Sequence, residues 1–306
     1  MNLTESTAPD FNTESFFHYF EEESKGMIQL EREKVFIAQT VDSTNTRLKA
    51  LLDEAGPLLD ADGNLTDDGN RLNKTILASA SQTSGYGRLS RSFYSPDQNG
   101  IYFSFIYIPQ TRSSGQSSVQ SFDAAYYTVP CALAVSMAVE KLFDIKPSIK
   151  WVNDVYVGDK KVCGILSEGY CPANANSVQA LVIGIGINLK TQESDLPEEI
   201  KASAGGIFDS TGGKTCSRAK LLAKIIFNCF SFLDSACETW PLVVMGYKAR
   251  SYLDGKTVRV TPIIGQDKGS YYARVLGITD NAELEVECED GSIKRLFTGE
   301  VTLHQD

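Results

Sequence analysis

The sequence predicts an α+β protein that ends in a small β-barrel. Strand-like and helix-like patterns are interspersed between residues 34 and 250. After Ser251 only short strands follow, separated by turns such as Thr279–Asn281 and Asp290–Gly291. A chain of 306 residues is long enough for one large domain and one small domain. We therefore expect an acidic N-terminal arm (1–33), a main domain (34–250) and a C-terminal domain (251–306).

The composition is that of a globular protein with an excess of acidic residues. The chain is 42% hydrophobic and 22% charged, with a formal net charge of −10. Such a charge disfavours DNA and anionic membranes as partners, because phosphate neutralisation needs clustered Lys and Arg. No apolar run approaches the roughly 18 residues of a membrane span. The N-terminus also lacks the basic and apolar regions of a secretory signal, so we expect a cytoplasmic protein.

Cysteine and histidine usage excludes several kinds of catalysis. The seven cysteines are scattered and contain no C-x-x-C pair, which argues against a disulfide framework or a zinc site and for reduced thiols. The two histidines, His18 and His304, lie near opposite ends of the chain. A Ser-His-Asp or Cys-His centre, or a histidine metal site, would have to use these terminal residues.

The first part of the chain alternates between an acidic segment, a strand and a capped helix. Residues 1–33 hold eight acids and two bases, and Glu14–Lys25 is either part of an acidic arm or a docked helix with its phenylalanines on one side. Residues 35–41 are typical of a strand, and Thr44–Leu52 of a helix capped near Ser43. Residues 56–70 are interpreted as a solvated insertion. They are not a calcium loop, because Leu65 and Arg71 stand where such a loop needs Gly and Glu.

The remaining elements follow from apolar content and periodicity. The Gly158–Asp159 turn should join a strand at 151–157 to a strand at 161–170, so that Lys161 returns opposite residues 151–156. Residues 217–234 have the core spacing of an amphipathic helix with Ser217 as its cap. The other expected elements are strands at 75–80, 100–108 and 181–189, a flexible connector at 111–121 and a helix at 123–143.

Four segments carry polar groups that suggest a ligand site. The V-D-S-T-N segment at 41–45 supplies neutral donors and acceptors at a helix start. Residues 82–96 combine Gly85 and Gly87 with Arg88 and Arg91, as a flexible phosphate-covering loop requires. Residues 150–168 place polar groups in strands whose other residues indicate burial, which is costly without partners or a ligand. The glycines of G-I-G-I-N-L at 184–189 would permit close approach of a flat ligand.

Together, in this order, these segments closely resemble those of biotin protein ligases. The family carries a Ser-Thr-Asn segment, a Q-x-A-G-R-G-R-x-G-R-x-W loop, a K-W-P-N-D strand leading to K-x-x-G-I-L-x-E, and a G-I-G-I-N strand. The resemblance runs from about Val35 to Leu303. It implies a central mixed β-sheet flanked by helices, as in class II aminoacyl-tRNA synthetases, and an SH3-like C-terminal β-barrel. It corresponds to the form without an N-terminal DNA-binding domain.

The resemblance also implies an activity and a set of site residues. The family forms biotinyl-5′-AMP from biotin and ATP with Mg²⁺, and then transfers biotin to a lysine of a biotin carboxyl carrier protein or domain. Catalytic roles fall to Lys161, Arg88 and Asp154, and Mg²⁺ would lie near Asn153 and Asp154. The biotin site would comprise Ser43, Thr44, Asn45, Gln82, Tyr86, Gly87, Arg88, Lys161 and Gly164. The ATP or adenylate site would comprise Arg88, Arg91, Phe93, Lys150, Asn153, Lys161 and Asn188.

The sequence departs from the family pattern at four positions. Tyr86 stands in place of the first loop Arg, Ser90 in place of a Gly, Phe93 in place of Trp, and Val152 in place of Pro. Three of these lie in the loop that would cover the adenylate. Because Arg88 is retained, activity is expected, and the departures bear on closure of the loop.

Three alternative hypotheses on the function can be distinguished by experiment. A lipoate–protein ligase shares the chemistry and, by resemblance, the core fold. A biotin-responsive repressor would need a basic DNA-binding domain, which residues 1–33 do not supply. A binding module would hold biotin without turnover. The sequence leaves the choice between monomer and homodimer open, as well as the identity of the carrier.

Overall fold

The computed structural model describes residues 3–97, 99–110, 124–173, 175, 177–191, 194, 196–261, 269–297 and 300–303. The helices are α1 Thr13–Ser24, α2 Thr44–Asp53, α3 Asp67–Leu72, α4 Ala124–Phe143, α5 Glu198–Lys201, α6 Arg218–Asp234 and α7 Ala236–Lys248. The strands are β1 Val35–Val41, β2 Ile76–Gln82, β3 Gly100–Tyr107, β4 Ser148–Lys150, β5 Asp154–Val157, β6 Lys160–Tyr170, β7 Ala180–Asn188, β8 Thr257–Thr261, β9 Tyr271–Ile278, β10 Leu284–Cys288, β11 Ile293–Leu296 and β12 Glu300–Leu303.

A seven-stranded mixed sheet forms the centre of the molecule. Its strand order is β1-β2-β3-β7-β6-β5-β4. The β1–β2 pair is parallel, and every other neighbouring pair is antiparallel. In antiparallel β5 and β6 the turn at Gly158, with φ of +58°, brings Lys161 opposite Tyr156, as predicted. The mixed sheet flanked by helices is therefore confirmed.

Side chains of the central strands alternate between two hydrophobic cores. Ile76 and Ala78 of β2 belong to the core beneath α4 and α6, whereas Leu77 belongs to the core beneath α2. This is the two-residue period of a strand covered on both faces. On β7 the isoleucines 183, 185 and 187 fill the first core. Alternation therefore turns Gly184, Gly186 and Asn188 to the opposite face, where space remains beside α2.

A second, five-stranded antiparallel sheet lies at the C-terminal end. Its strand order is β11-β10-β9-β8-β12, which confirms the short strands predicted there. The two sheets are joined by hydrogen bonds as well as by the chain. The Trp151 indole N–H donates to the Ala282 carbonyl at 2.9 Å, and Tyr252 N–H donates to Ile149 O at 2.9 Å. The C-terminal sheet is thus held against the strands that carry the K-W-V-N-D motif.

The N-terminal segment contains a docked helix rather than a free acidic arm. Phe16, Phe17 and Phe20 of α1 are 3% exposed or less and pack against α6. The Asp10 carboxylate receives two hydrogen bonds of 2.9 Å from Arg218, and these bonds and the guanidinium charge lower the pKa of Asp10 against the opposing effect of burial. Ahead of α1, Ser6 N–H donates to Ile37 O at 2.9 Å, so the segment also covers the edge of β1.

Two sequence interpretations need correction. Residues 56–70 are not simply a solvated insertion, because Leu58 is 1% exposed and α3 begins at Asp67. The predicted strand at 151–157 is split, since residues 151–153 form a turn between β4 and β5. The connector at 111–121 and His304 lie outside the described residues.

Candidate active site

A cavity of about 590 Å³ lies on the α2 side of the central sheet. It collects segments far apart in sequence: the start of α2, the loop after β2, the β4–β5 turn, and strands β6 and β7. Fourteen of the residues predicted for the site line it together. They are Ser43, Thr44, Asn45, Gln82, Tyr86, Gly87, Arg88, Arg91, Phe93, Lys150, Asn153, Asp154, Lys161 and Gly164.

The remaining predicted residue lines an adjoining cavity. Asn188, at the end of β7, lines a space of about 120 Å³ next to the larger one. Six residues line both spaces and form the partition: Ser92, Phe93, Tyr102, Lys161, Ile200 and Ser203. Phe93 and Tyr102 meet edge to face with ring centroids 6.2 Å apart. Burial raises the pKa of Tyr102, which keeps its phenol protonated.

One end of the large cavity is a network of neutral side chains. Ser43 caps α2, and its hydroxyl accepts from Thr46 N–H at 3.4 Å. The next residue, Thr44, donates through its N–H to the Gln82 amide oxygen at 2.8 Å. Ser104 of β3 donates its hydroxyl proton to Asn45 Oδ1 at 2.5 Å, and its oxygen lies 2.6 Å from the Thr44 hydroxyl oxygen. We call the set Thr44, Asn45, Gln82 and Ser104 the neutral end.

Glycines on β6 and β7 leave room for the side chains above them. A Cβ on Gly184 would lie 2.2 Å from Asn45 Oδ1, and one on Gly186 would lie 2.5 Å from the Phe93 ring. A Cβ on Gly164 would lie 3.2 Å from the same ring. Only a residue without a side chain allows Asn45 and Phe93 to pack directly on the sheet. The glycines of G-I-G-I-N therefore fix the shape of both ends of the cavity.

The other end of the cavity carries charge. The Lys161 ammonium lies 2.7 Å from Asp154 Oδ1. That oxygen is buried and receives no aligned hydrogen bond, so the pair is held by charge. Arg88 donates to Asn153 Oδ1 at 3.2 Å, and the Asn153 amide donates to Ile165 O at 2.9 Å. We call Arg88, Lys150, Asn153, Asp154 and Lys161 the charged end.

Backbone hydrogen bonds fold the loop after β2 back on itself, over the cavity. Gln82 N–H donates to Ser95 O at 3.0 Å, Phe93 N–H to Gly85 O at 2.9 Å, and Gly87 N–H to Arg91 O at 2.8 Å. At its tip Leu89 and Ser90 both have φ of +56°, a left-handed conformation that favours glycine. Ser90 therefore occupies a strained position where the family pattern has Gly.

The oxygen donors at the charged end suit a magnesium ion that also binds phosphates. Mg²⁺ is usually held by one or two carboxylates together with phosphate oxygens and water. The Asp154 carboxylate and the Asn153 amide oxygen lie on adjacent residues, and Asp154 Oδ1 receives no aligned hydrogen bond. Among the described residues no group of three or more His, Cys, Asp and Glu side chains could hold a metal alone. Asn153 and Asp154 therefore suit a metal ion whose other ligands are phosphate oxygens of the bound nucleotide.

Sequence reasoning missed several residues around the cavity. Ser104 stood out only as a hydroxyl in the apolar run G-I-Y-F-S-F-I-Y-I. Tyr156 lines the charged end, where burial and the Asp154 carboxylate raise its pKa. Val301 and Thr302 of β12 also line the cavity, so the C-terminal sheet contributes to its wall. Glu168, the last residue of K-x-x-G-I-L-x-E, received no role from the sequence although it bonds to Asn45.

The chain is similar to known ligases in sequence and in fold. The biotin/lipoate A/B protein ligase family matches residues 68–188. The bifunctional ligase/repressor BirA of Bacillus spizizenii is 29% identical over 231 residues, which cover 75% of this chain and 66% of that protein. The chain thus spans just under two thirds of that relative. The biotin--[acetyl-CoA-carboxylase] ligase of Mycobacterium tuberculosis is 27% identical over 206 residues, covering 65% of this chain and 69% of that protein.

A solved structure matches nearly the whole fold. The biotin protein ligase of Aquifex aeolicus, in complex with biotin and ATP, superposes with a TM-score of 0.67 and 27% identity, covering 89% of this chain and 99% of that chain. The fold is that of a biotin protein ligase, as the motifs predict. Residues 68–188 are similar to the biotin/lipoate A/B protein ligase family, and similarity to biotin ligases extends over most of the chain. In the part of the chain that the structure describes, no helix is long and apolar enough to cross a membrane.

Proposed function

We propose that the protein is an ATP-dependent biotin ligase that forms biotinyl-5′-AMP and then transfers biotin to a lysine of a biotin carboxyl carrier protein or domain. The observation that carries the proposal is the division of one cavity into a neutral end and a charged end. The neutral end offers uncharged donors and acceptors for the cyclic urea of biotin. The charged end offers Lys161 and Arg88 for its carboxylate and for phosphate.

In the first half-reaction a biotin carboxylate oxygen attacks the α-phosphorus of ATP. The bond between that phosphorus and the bridging oxygen breaks, and pyrophosphate leaves with the electron pair. The protein contributes position and positive charge, since the attacking group belongs to the substrate. Lys161 lies where the two cavities meet and would contact carboxylate and phosphate together. Ser43, Thr44, Asn45, Gln82, Tyr86, Gly87 and Gly164 would surround biotin.

No thiol is needed as a nucleophile. Cys163 lines the smaller cavity, but it is 1% exposed and burial strongly raises the pKa of its thiol. A thiol that stays protonated is a poor nucleophile. The adenine would occupy the smaller cavity, with Asn188 on one wall and Phe93 in the partition. Arg91, Lys150 and Asn153 would lie along the phosphates.

Mg²⁺ would neutralise phosphate charge and assist departure of pyrophosphate. Asn153 and Asp154 are the residues proposed to hold it, through an amide and a carboxylate oxygen. Binding would require the Asp154 carboxylate to share or exchange its contact with Lys161, 2.7 Å away.

In the second half-reaction the carrier lysine, as a neutral amine, attacks the acyl carbon of the anhydride. The carbon–oxygen bond to AMP breaks, and the amine loses a proton as the amide forms. Asp154 is the proposed group to orient or deprotonate that amine, because its carboxylate lines the cavity 2.7 Å from the Lys161 ammonium. Loop residues 82–96 would exclude water from the anhydride meanwhile.

The proposed organisation follows the same assignment. Residues 34–250 form the catalytic domain, 251–306 an SH3-like domain, and 1–33 an N-terminal arm. The net charge of −10 and the unpaired cysteine pattern favour a cytoplasmic enzyme that binds neither DNA nor membranes.

ATP–pyrophosphate exchange by the purified protein with Mg²⁺ tests the proposal. Exchange that requires biotin, and is absent with lipoate or with neither acid, is the expected result. Exchange that requires lipoate would keep the mechanism and overturn the substrate. Measurable biotin binding without exchange would mean a binding module and contradict the proposal.

A further inference from the structure

The Glu168 carboxylate lies behind the cavity wall and receives hydrogen bonds from three side chains. Asn45 Nδ2 donates to it at 2.6 Å, the Tyr86 hydroxyl at 2.9 Å and the Lys49 ammonium at 2.5 Å. Asn45 and Lys49 belong to α2, Tyr86 to the loop over the cavity, and Glu168 to β6. One carboxylate therefore joins three separate segments. We call these four residues the Glu168 cluster.

The charge of the cluster is balanced away from the ligand. The Lys49 and Glu168 side chains are only 33% and 23% exposed. Burial opposes the charge of Lys49, but the hydrogen bond and charge of Glu168 outweigh it and raise the pKa of Lys49. A carboxylate paired with a retained ammonium can accept further hydrogen bonds without presenting a net negative charge to the cavity.

Both side chains that the cluster presents to the cavity have a fixed orientation. Since a carboxylate only accepts hydrogen bonds, the nitrogen of the Asn45 amide must face Glu168. The amide oxygen accepts from Ser104, so both halves of the amide are committed. Burial and the charge of Glu168 raise the pKa of Tyr86, whose hydroxyl therefore remains a donor at neutral pH.

We propose that Glu168 is a positioning residue that sets the Asn45 amide for the substrate ring and ties the covering loop to the sheet through Tyr86. This rests on the proposed function, in which Asn45 and Tyr86 surround biotin. In the family pattern Arg stands at position 86. Here the neutral Tyr86 hydroxyl bonds to Glu168 instead. The link between loop and sheet therefore uses no arginine of the loop, and Arg88 and Arg91 keep the phosphate contacts proposed for them. The loop is consequently ordered before ATP arrives.

Two substitutions test the two halves of this proposal. Glu168→Gln keeps the size of the side chain but weakens its hydrogen bonds, and should raise the KM for biotin about tenfold with little change in kcat. Tyr86→Phe removes only the tie, and should speed tryptic cleavage after Arg88 and Arg91 several-fold in the free protein. Tyr170→Phe is the matched control for the loop, because Tyr170 of β6 bonds to Leu52 O of α2 at 2.9 Å without touching the loop.

The outcomes separate this proposal from the proposed function. Wild-type protein that performs no biotin-dependent exchange would overturn the function, whereas the comparison of cleavage rates would still test the tie. Equal cleavage of Tyr86→Phe, Tyr170→Phe and wild type would overturn the tie. If Glu168→Gln lowered kcat and thermal stability without changing the KM for biotin, its role would be structural and the positioning of Asn45 would be refuted.

Discussion

The two ends of the cavity are built on different principles. At the neutral end Thr44, Asn45, Gln82 and Ser104 bond to one another, and the charge of Glu168 is set back and balanced by Lys49. At the charged end Lys161 and Asp154 are paired by charge without an aligned hydrogen bond. The first arrangement is oriented before ligand binds and keeps donor and acceptor capacity for it. The second holds charged groups whose contacts a phosphate or a metal can exchange.

This difference separates recognition from reaction. A fixed neutral network discriminates strongly, because a ligand that leaves a buried donor or acceptor unsatisfied loses about 1–3 kcal/mol. A charged end that can exchange partners discriminates less but stabilises charge as it develops in the transition state. Substitutions at the neutral end should therefore change KM for biotin, and those at the charged end should change the rate of adenylation.

The largest effect is expected for Lys161→Ala. Loss of its ammonium should reduce biotin-dependent exchange at least about 10²–10³-fold, the range typical of a group that stabilises developing charge. Biotin binding, measured by calorimetry, should remain within a few-fold. Lys160→Ala is the matched control, since Lys160 bonds to carbonyls of 201 and 202 and does not line the cavity. Equal activity of the two variants would contradict the role of Lys161.

A pair of glycine substitutions should separate the two ends directly. Gly184→Ala would place a Cβ 2.2 Å from Asn45 Oδ1, and Gly186→Ala would place one 2.5 Å from the Phe93 ring. We expect Gly184→Ala to raise the KM for biotin tenfold or more with a small change for ATP, at about 1.4 kcal/mol per factor of ten. Gly186→Ala should do the reverse. Because the changes are chemically identical, equal effects on both substrates would remove the distinction between the ends.

A moderate effect on fidelity is expected for Arg88→Gly. Without the Arg88 side chain, which bonds to Asn153 at 3.2 Å, the loop should hold the adenylate less firmly. Released biotinyl-5′-AMP acylates exposed lysines, so unrelated proteins in the mixture should gain biotin, about tenfold over wild type on a streptavidin blot. If only the carrier were labelled, retention of the adenylate would not depend on Arg88.

The smallest effect is expected for Ser90→Gly. A left-handed residue costs about 1–2 kcal/mol, and the greater freedom of glycine in the unfolded chain offsets about 0.5–1 kcal/mol of the relief. The midpoint temperature of thermal unfolding should therefore rise by no more than about 2–4 °C. Exchange activity should stay within about twofold. A tenfold change in activity would show that the backbone of the loop tip, as well as its charge, controls the reaction.

The sequence predicted the residues that line the site better than the residues that hold them in position. Motifs at 41–45, 82–93, 150–164 and 188 named the residues that line the two cavities, because ligand contacts require particular side chains at particular spacings. These predictions depend on local motifs and on the resemblance to the family that shares them.

What the sequence did not predict depends on contacts distant along the chain. The bond from Asn45 to Glu168 joins residues 123 positions apart, and neither residue indicates the other. The contribution of Val301 and Thr302 to the cavity follows from how the C-terminal sheet meets the K-W-V-N-D turn. Burial of Leu58 within a polar, Gly- and Asp-rich stretch likewise follows from the core it reaches.

We propose, above all, that one cavity binds the ring of biotin at its neutral end and activates the carboxylate at its charged end. The most direct measurement is mass spectrometry of the small molecules that stay with the protein after incubation with biotin, ATP and Mg²⁺ and removal of free ligand. Wild-type protein should retain biotinyl-5′-AMP, while Lys161→Ala should retain biotin alone. Equal amounts of adenylate on both proteins, or biotin on neither, would contradict the account.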